Sequence, residues 1–127
     1  MEAEDDDVPP EPGVTVEVDH HSIPELTVRD VAARLGQAGF HVYDTNNRAR
    51  WRRSHLPGAR NLDDDEFDRG QLPEDTQATL VFYCWGPGCH SCHAAAARAR
   101  QFGYQDVYVM PEGIGGWEKA RHPIETA

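Results

Sequence analysis

Residues 80–104, LVFYCWGPGCHSCHAAAARARQFGY, constrain the fold more than any other stretch of the chain. The apolar run Leu80 to Tyr83 has the composition of a strand and stops at Cys84. A loop with Gly86, Pro87 and Gly88 follows, then an alanine-rich stretch from about Ser91 to Phe102 that favours helix. A cysteine at such a junction sits where successive N–H groups can converge and where the helix dipole adds positive potential. That environment favours thiolate over thiol, and the thiolate is the nucleophile. The segment reads as a cradle for a catalytic cysteine. The plain alternative is an inert core thiol at a strand end.

The rest of the chain supplies alternating strands and helices. Val14 to Val18 alternates as a short edge strand would. Thr27 with Asp30 three residues on resembles a capping box, and the helix it opens carries Val28, Val31, Ala32 and Leu35 on one face. Phe40 to Tyr43 is a second strand, ending at Asp44. Asn47 is placed to cap a short helix, RARWRRS, in which Trp51 is the natural inward anchor. A turn, SHLPGA, leads to a short strand over residues 59–62, and one helical turn is expected around Phe67. After the cysteine loop and its helix come a strand from Val107 to Met110 and a last helix near Ile114 to Ala120. Short apolar strands alternating with helices predict an α/β fold: a mostly parallel sheet of about five strands covered on both faces.

Length and charge bound this further. At 127 residues the chain suits one domain with a single core. Its net charge of −10 is mostly local: residues 1–20 hold eight acidic and no basic residues, which leaves 14 acidic against 12 basic, a net of −2, for residues 21–127. The expected division is a disordered acidic tail over 1–13 and one domain over 14–127. The acidic balance, with arginines clustered only near residues 48–60, argues against nucleic acid. No apolar run approaches the ~18 residues of a membrane span, and the N-terminus lacks the basic start and apolar stretch of a signal peptide, so the expected location is cytoplasmic. Three cysteines in that setting point to chemistry or metal binding rather than to a disulfide framework.

Several separated pieces together resemble the rhodanese family. VYDTNNRARWRRSHLPGA is similar to the family's D-x-R…G-H-I-P-G-A element, with eleven residues from Asp44 to His55. VFYC resembles the strand that ends in the family's catalytic cysteine. HAAAARARQFGYQDVYVM resembles the following helix, turn and strand. EGIGGWEKARHPIE resembles the closing segment, with Trp117 and Pro123 in place. The match runs from about Ser22 to Glu125.

The resemblance implies a rhodanese-like fold and sulfurtransferase chemistry: Cys84 takes sulfane sulfur from thiosulfate, a polysulfide or a persulfide, holds it as a persulfide and passes it to a thiophilic acceptor. Substrate contacts would come from the loop residues Trp85, Gly86, Gly88, Cys89, His90 and Ser91. It implies a small-molecule donor, a thiol or protein acceptor, no cofactor, and a monomer or homodimer. Many members carry an arginine at the end of a C-x-x-G-x-R loop, whereas CWGPGCHSC has none and is longer than the common form. Protonated His90 can partly replace that arginine, and Arg48 and Arg50 are candidate anion contacts. Asn46 stands where the family usually has an arginine. Asp44 and His55 are expected to order turns near the site. Phosphatase activity, which needs C-x5-R, is expected to be poor, because His90 takes the arginine's place.

Cys89 and Cys92 admit several readings. Cys89-His90-Ser91-Cys92-His93 satisfies the haem-attachment pattern C-x-x-C-H, but without an export signal or an axial-ligand segment haem is not expected. Zinc is a further variant, although four ligands on one loop-to-helix junction cannot all face one tetrahedral ion. In a redox or non-enzymatic module, Cys89 or Cys92 would form a disulfide with Cys84. Otherwise Cys92 is simply packed.

Overall fold

Strand β3 (Thr79–Tyr83, TLVFY) organises the molecule, because it is buried at every position and therefore needs a covering layer on each side. The computed structural model describes residues 23–62 and 66–127. Within them lie α1 (Val28–Arg34), β1 (Phe40–Asp44), α2 (Arg48–Arg53), β2 (Arg60–Asn61), β3, α3 (Ser91–Gln101), β4 (Val107–Met110) and α4 (Gly113–Lys119). The sheet runs β2-β1-β3-β4, and every pairing is parallel. Four strands are seen among the described residues where about five were expected; a single parallel bridge, Glu25 to Val109, extends the sheet beyond β4. The expected edge strand at Val14 to Val18 lies outside the described residues.

The two-residue period of β3 divides the core in two. Leu80 and Phe82 pack on one face with Val107, Val109, Phe67 and the alanines of α3. Val81 and Tyr83 pack on the other with Val28, Val31, Ile114 and Trp117 of α1 and α4. Alanine suits α3 because Ala95, Ala96 and Ala99 are fully buried, and small side chains let the helix lie close to the sheet. Tyr43 of β1 lies opposite Phe82, and the rings stack with centroids 5.3 Å apart.

Local signals account for the element ends. Thr27 and Asp30 form a reciprocal capping box at 3.1 Å in both directions. The Asn47 side chain accepts from the Arg50 N–H at 2.8 Å. Trp51 is the inward residue of α2, the one position of that helix that is not exposed, and its ring stacks on buried His55 with centroids 4.4 Å apart. It is half-buried rather than part of the core, and its indole donates to the Ala59 carbonyl at 3.0 Å. The helical turn expected around Phe67 is a 3-10 turn at Arg69–Gln71, with Phe67 itself in the core.

This strand order fixes where chemistry can occur. After β1 the chain moves outward to β2, and after β3 it moves the other way, to β4. The crevice beyond the carboxyl ends of β1 and β3 is therefore a topological switch point, the usual ligand position in open parallel sheets. Thr45 and Cys84 are the first residues past those two ends.

Candidate active site

Cys84 follows Tyr83 at the end of β3 and is 1% exposed. The loop that leaves it turns back at once, with the Cys89 N–H donating to the Gly86 carbonyl at 3.3 Å and Gly88 at φ +88°. That φ lies in the left-handed region, where glycine carries no Cβ penalty. The turn lays Cys89 over Cys84, and the two are paired as a disulfide with Cα atoms 6.5 Å apart. The Cys92 sulfur lies 3.9 Å from the Cys84 sulfur. Cys92 is a free, fully buried thiol on the first turn of α3. Burial pushes its pKa up to about 11, against the opposing pull of the Cys92 and His93 N–H groups. Cys92 is therefore a neutral thiol beside Cys84, with His93 Nδ1 3.6 Å from its sulfur.

Among the loop residues expected to contact substrate, Cys89 uses its N–H to close the turn. The N–H groups of Trp85, Gly86, Gly88 and His90 make no hydrogen bond among the described residues. The N-terminus of α3 has no side-chain cap. The dipole of α3 adds positive potential at this end, beside the loop. Trp85 is the most exposed large apolar side chain among the described residues, at 48%, and stands at the rim.

Two supports of this loop were not recognised from the sequence. Thr45 is buried, and its hydroxyl donates to the Tyr83 carbonyl at 2.9 Å. Its oxygen then accepts from the Ser91 hydroxyl at 2.9 Å, and the Ser91 oxygen lies 3.3 Å from the Cys89 sulfur. A polar chain thus crosses the switch point from β1 to the cysteine loop; no short-range pattern could reveal a link between residues 46 positions apart. The second support is the start of α4. The Ile114 and Gly115 N–H groups donate to the Cys84 and Trp85 carbonyls, both at 2.9 Å. Gly113, at φ +63°, passes so close that a Cβ there would lie 2.5 Å from the Cys84 oxygen. The glycines of EGIGG were the available signal.

The other candidates lie around the site rather than in it. Arg48 and Arg50 are exposed on α2, with Arg48 over the Trp51 ring, and neither has a hydrogen bond or ion pair to the cysteine loop among the described residues. His90 is exposed beside His93, with ring centroids 6.5 Å apart. His55 is buried and stacked on Trp51, its Nδ1 is 2.6 Å from the Trp51 oxygen, and its backbone pairs with Glu125. It therefore ties α2 to the C-terminal segment. Asn46 is buried, and its N–H donates to Asp44 Oδ1 at 2.7 Å. Among the described residues, no group of three or more His, Cys, Asp or Glu side chains is arranged to hold a metal ion. No helix there is long and apolar enough to cross a membrane. A cavity lined by Leu35, Phe40, His41, Gln71 and Leu72 contains no residue of the cysteine loop.

Asp44 is fully buried, and that burial pushes its pKa above 3.8 despite the Asn46 N–H and the neighbouring Tyr83 hydroxyl. The folded protein then holds the Asp44 proton more tightly than the unfolded chain does. The contribution favours folding fully below 3.8 and is lost as pH rises through the raised folded value. Asp44→Asn retains an acceptor for the Asn46 N–H and removes the charge. Thermal denaturation is expected to show the variant gaining on wild type as pH rises from the acid side to neutral. A stability difference independent of pH would contradict this reading of Asp44.

A parallel sheet, four-stranded among the described residues, with helices on both faces and a cysteine loop at its switch point defines the class: an α/β domain built around a strand-end cysteine. The chain belongs to the rhodanese-like domain family, whose model matches residues 27–120. Thiosulfate sulfurtransferase GlpE of Haemophilus influenzae (strain PittEE) is 30% identical to it over 106 residues, which is 84% of this chain and 98% of that protein. Thiosulfate sulfurtransferase GlpE of Pseudomonas paraeruginosa (strain DSM 24068 / PA7) is 28% identical over 96 residues, covering 76% of this chain and 84% of that protein. Among solved structures, the BH2092 protein from Bacillus halodurans shares the fold with a TM-score of 0.75 at 24% identity, over 81% of this chain and 77% of its own.

Proposed function

We propose that this protein is a sulfurtransferase that carries sulfane sulfur on Cys84. The observation that carries this reading is the position of Cys84, at the end of the central strand and the switch point, beside the first turn of α3. Relatives named thiosulfate sulfurtransferase support it. In the reduced protein, the Cys84 thiolate attacks the outer sulfur of the donor. With thiosulfate the new S–S bond replaces the old one, and sulfite leaves with the electron pair. With a persulfide the leaving group is a thiolate. A nucleophilic acceptor then takes the outer sulfur, and Cys84 departs as thiolate. The loop N–H groups and the uncapped end of α3 favour the anionic forms of both donor and persulfide. On this reading the protein works in the cytoplasm, where thiol reductants keep Cys84 available.

The loop has no guanidinium to fork onto an oxyanion, and His90 stands exposed in that position. A hydrogen bond to a charged group is worth about 1.5–3 kcal/mol, so kcat/KM for glutathione persulfide or polysulfide is expected to exceed that for thiosulfate by about 10- to 100-fold. Initial rates with cyanide as acceptor measure this ratio. Equal values would contradict the assigned donor preference. Rates no higher than those of Cys84→Ser with every donor would refute sulfur transfer itself.

A further inference from the structure

Cys89 has an observed partner that the carrier chemistry above does not use: it is paired with the very sulfur that would hold the cargo. We propose that Cys89 is the resolving thiol of the site, that it reduces the Cys84 persulfide to hydrogen sulfide, and that a dithiol reductant resets the loop. The inference rests on the persulfide reading and names what consumes the persulfide. The Cys89 sulfur attacks the inner sulfur, that of Cys84, and the bond to the outer sulfur breaks. The Cys84 persulfide and the Cys89 thiol become a Cys84–Cys89 disulfide plus hydrogen sulfide, the Cys89 proton leaving with the expelled sulfur. The outer sulfur is reduced by two electrons and the cysteine pair is oxidised by two. A dithiol then exchanges with the disulfide, is itself oxidised to a disulfide, and returns both thiols.

Three features favour Cys89 over Cys92 for this step. The turn closed by the Cys89 N–H on the Gly86 carbonyl brings the two Cα atoms to 6.5 Å, within the span that a disulfide requires. Cys89 is half-exposed, so a reductant can reach it, whereas Cys92 is fully buried. The reduced Cys89 thiol has a fixed acceptor, because the Thr45 hydroxyl points to Tyr83 and the Ser91 hydroxyl to Thr45, which leaves the Ser91 oxygen open to the Cys89 S–H at 3.3 Å. Cys92, held neutral by burial with its pKa pushed up to about 11, is a poor attacking thiol. Its sulfur lies 3.9 Å from that of Cys84 and 3.6 Å from His93 Nδ1.

The test is a single turnover without external thiol. Reduced wild-type protein, freed of reductant, is mixed with a small excess of inorganic polysulfide, and sulfide, intact mass and the linked peptides are measured. The expected result is one burst of sulfide per chain, a mass lower by two hydrogens and a mapped Cys84–Cys89 disulfide. A second burst should follow only after a dithiol is added. Cys89→Ser should keep one extra sulfur on Cys84 and release at least about tenfold less sulfide. A wild-type protein that keeps a stable Cys84 persulfide, or that maps a Cys84–Cys92 disulfide, overturns the inference. Thiocyanate formed by the same wild-type sample with cyanide would still uphold the sulfurtransferase reading. If no sulfur reaches Cys84 in either protein, both readings fall.

Discussion

Cys84→Ser is expected to lower kcat/KM for sulfur transfer by ~10³-fold or more with every sulfane donor, while leaving the fold intact. A serine hydroxyl is close in size, so the buried strand end loses little packing. What it loses is the nucleophile: an alcohol has almost no anion at neutral pH and cannot hold a transferable sulfur. The neighbouring thiols do not substitute for it. Cys92 is fully buried, and Cys89 lies on the loop rather than at the end of β3, where the switch-point crevice opens. Steady-state assays with cyanide and with thiol acceptors, paired with a thermal melt, separate lost chemistry from lost structure. Residual transfer above about a tenth of wild type would move the carrier role to another residue.

Gly113→Ala is expected to be the most damaging small substitution, costing about 3 kcal/mol or more and lowering sulfur transfer along with stability. The added methyl meets backbone, which cannot swing aside as a side chain can. It would lie 2.5 Å from both the Cys84 oxygen and the Trp85 carbonyl carbon, at a residue whose φ of +63° already disfavours a Cβ. Relief requires moving either the start of α4 or the cysteine loop, and the bonds from Ile114 and Gly115 to Cys84 and Trp85 tie those two together. Gly88→Ala is the matched control. It carries the same left-handed penalty at φ +88° but meets nothing within 4 Å, and its cost should stay near about 1 kcal/mol. Chemical denaturation of the two variants tests the contrast; equal losses would mean that conformational strain alone, not contact with the loop, governs position 113.

Features set by local chemistry were legible in the sequence. The capping box at Thr27, the cap at Asn47, the fully apolar run ending in Tyr83 and the alanine face of α3 each depend on near neighbours, and each lies within a residue or two of its expected place. The parallel α/β arrangement followed from their alternation. Trp51 was legible as the inward side of α2, but how far it is covered was not: the helix is too short to bury a face, and the ring stays half-buried on His55. The Thr45–Ser91 link and the Gly113 contact were invisible because both depend on how β1, β3 and α4 meet in space. The pairing of Cys84 was open for the same reason. Spacing alone left Cys89 and Cys92 as equal partners, and the direction of the turn at Gly86 and Gly88 separates them.

The most direct test of the central claim is rapid trapping of the sulfur. Reduced wild-type protein is mixed with a sulfane donor, quenched early with an alkylating agent, digested and analysed by mass spectrometry. The account predicts one extra sulfur, capped as an alkyl disulfide, on the Cys84 peptide before the Cys84–Cys89 pair appears. Sulfur found first on Cys89 or Cys92, or on none of the three cysteines, would contradict it.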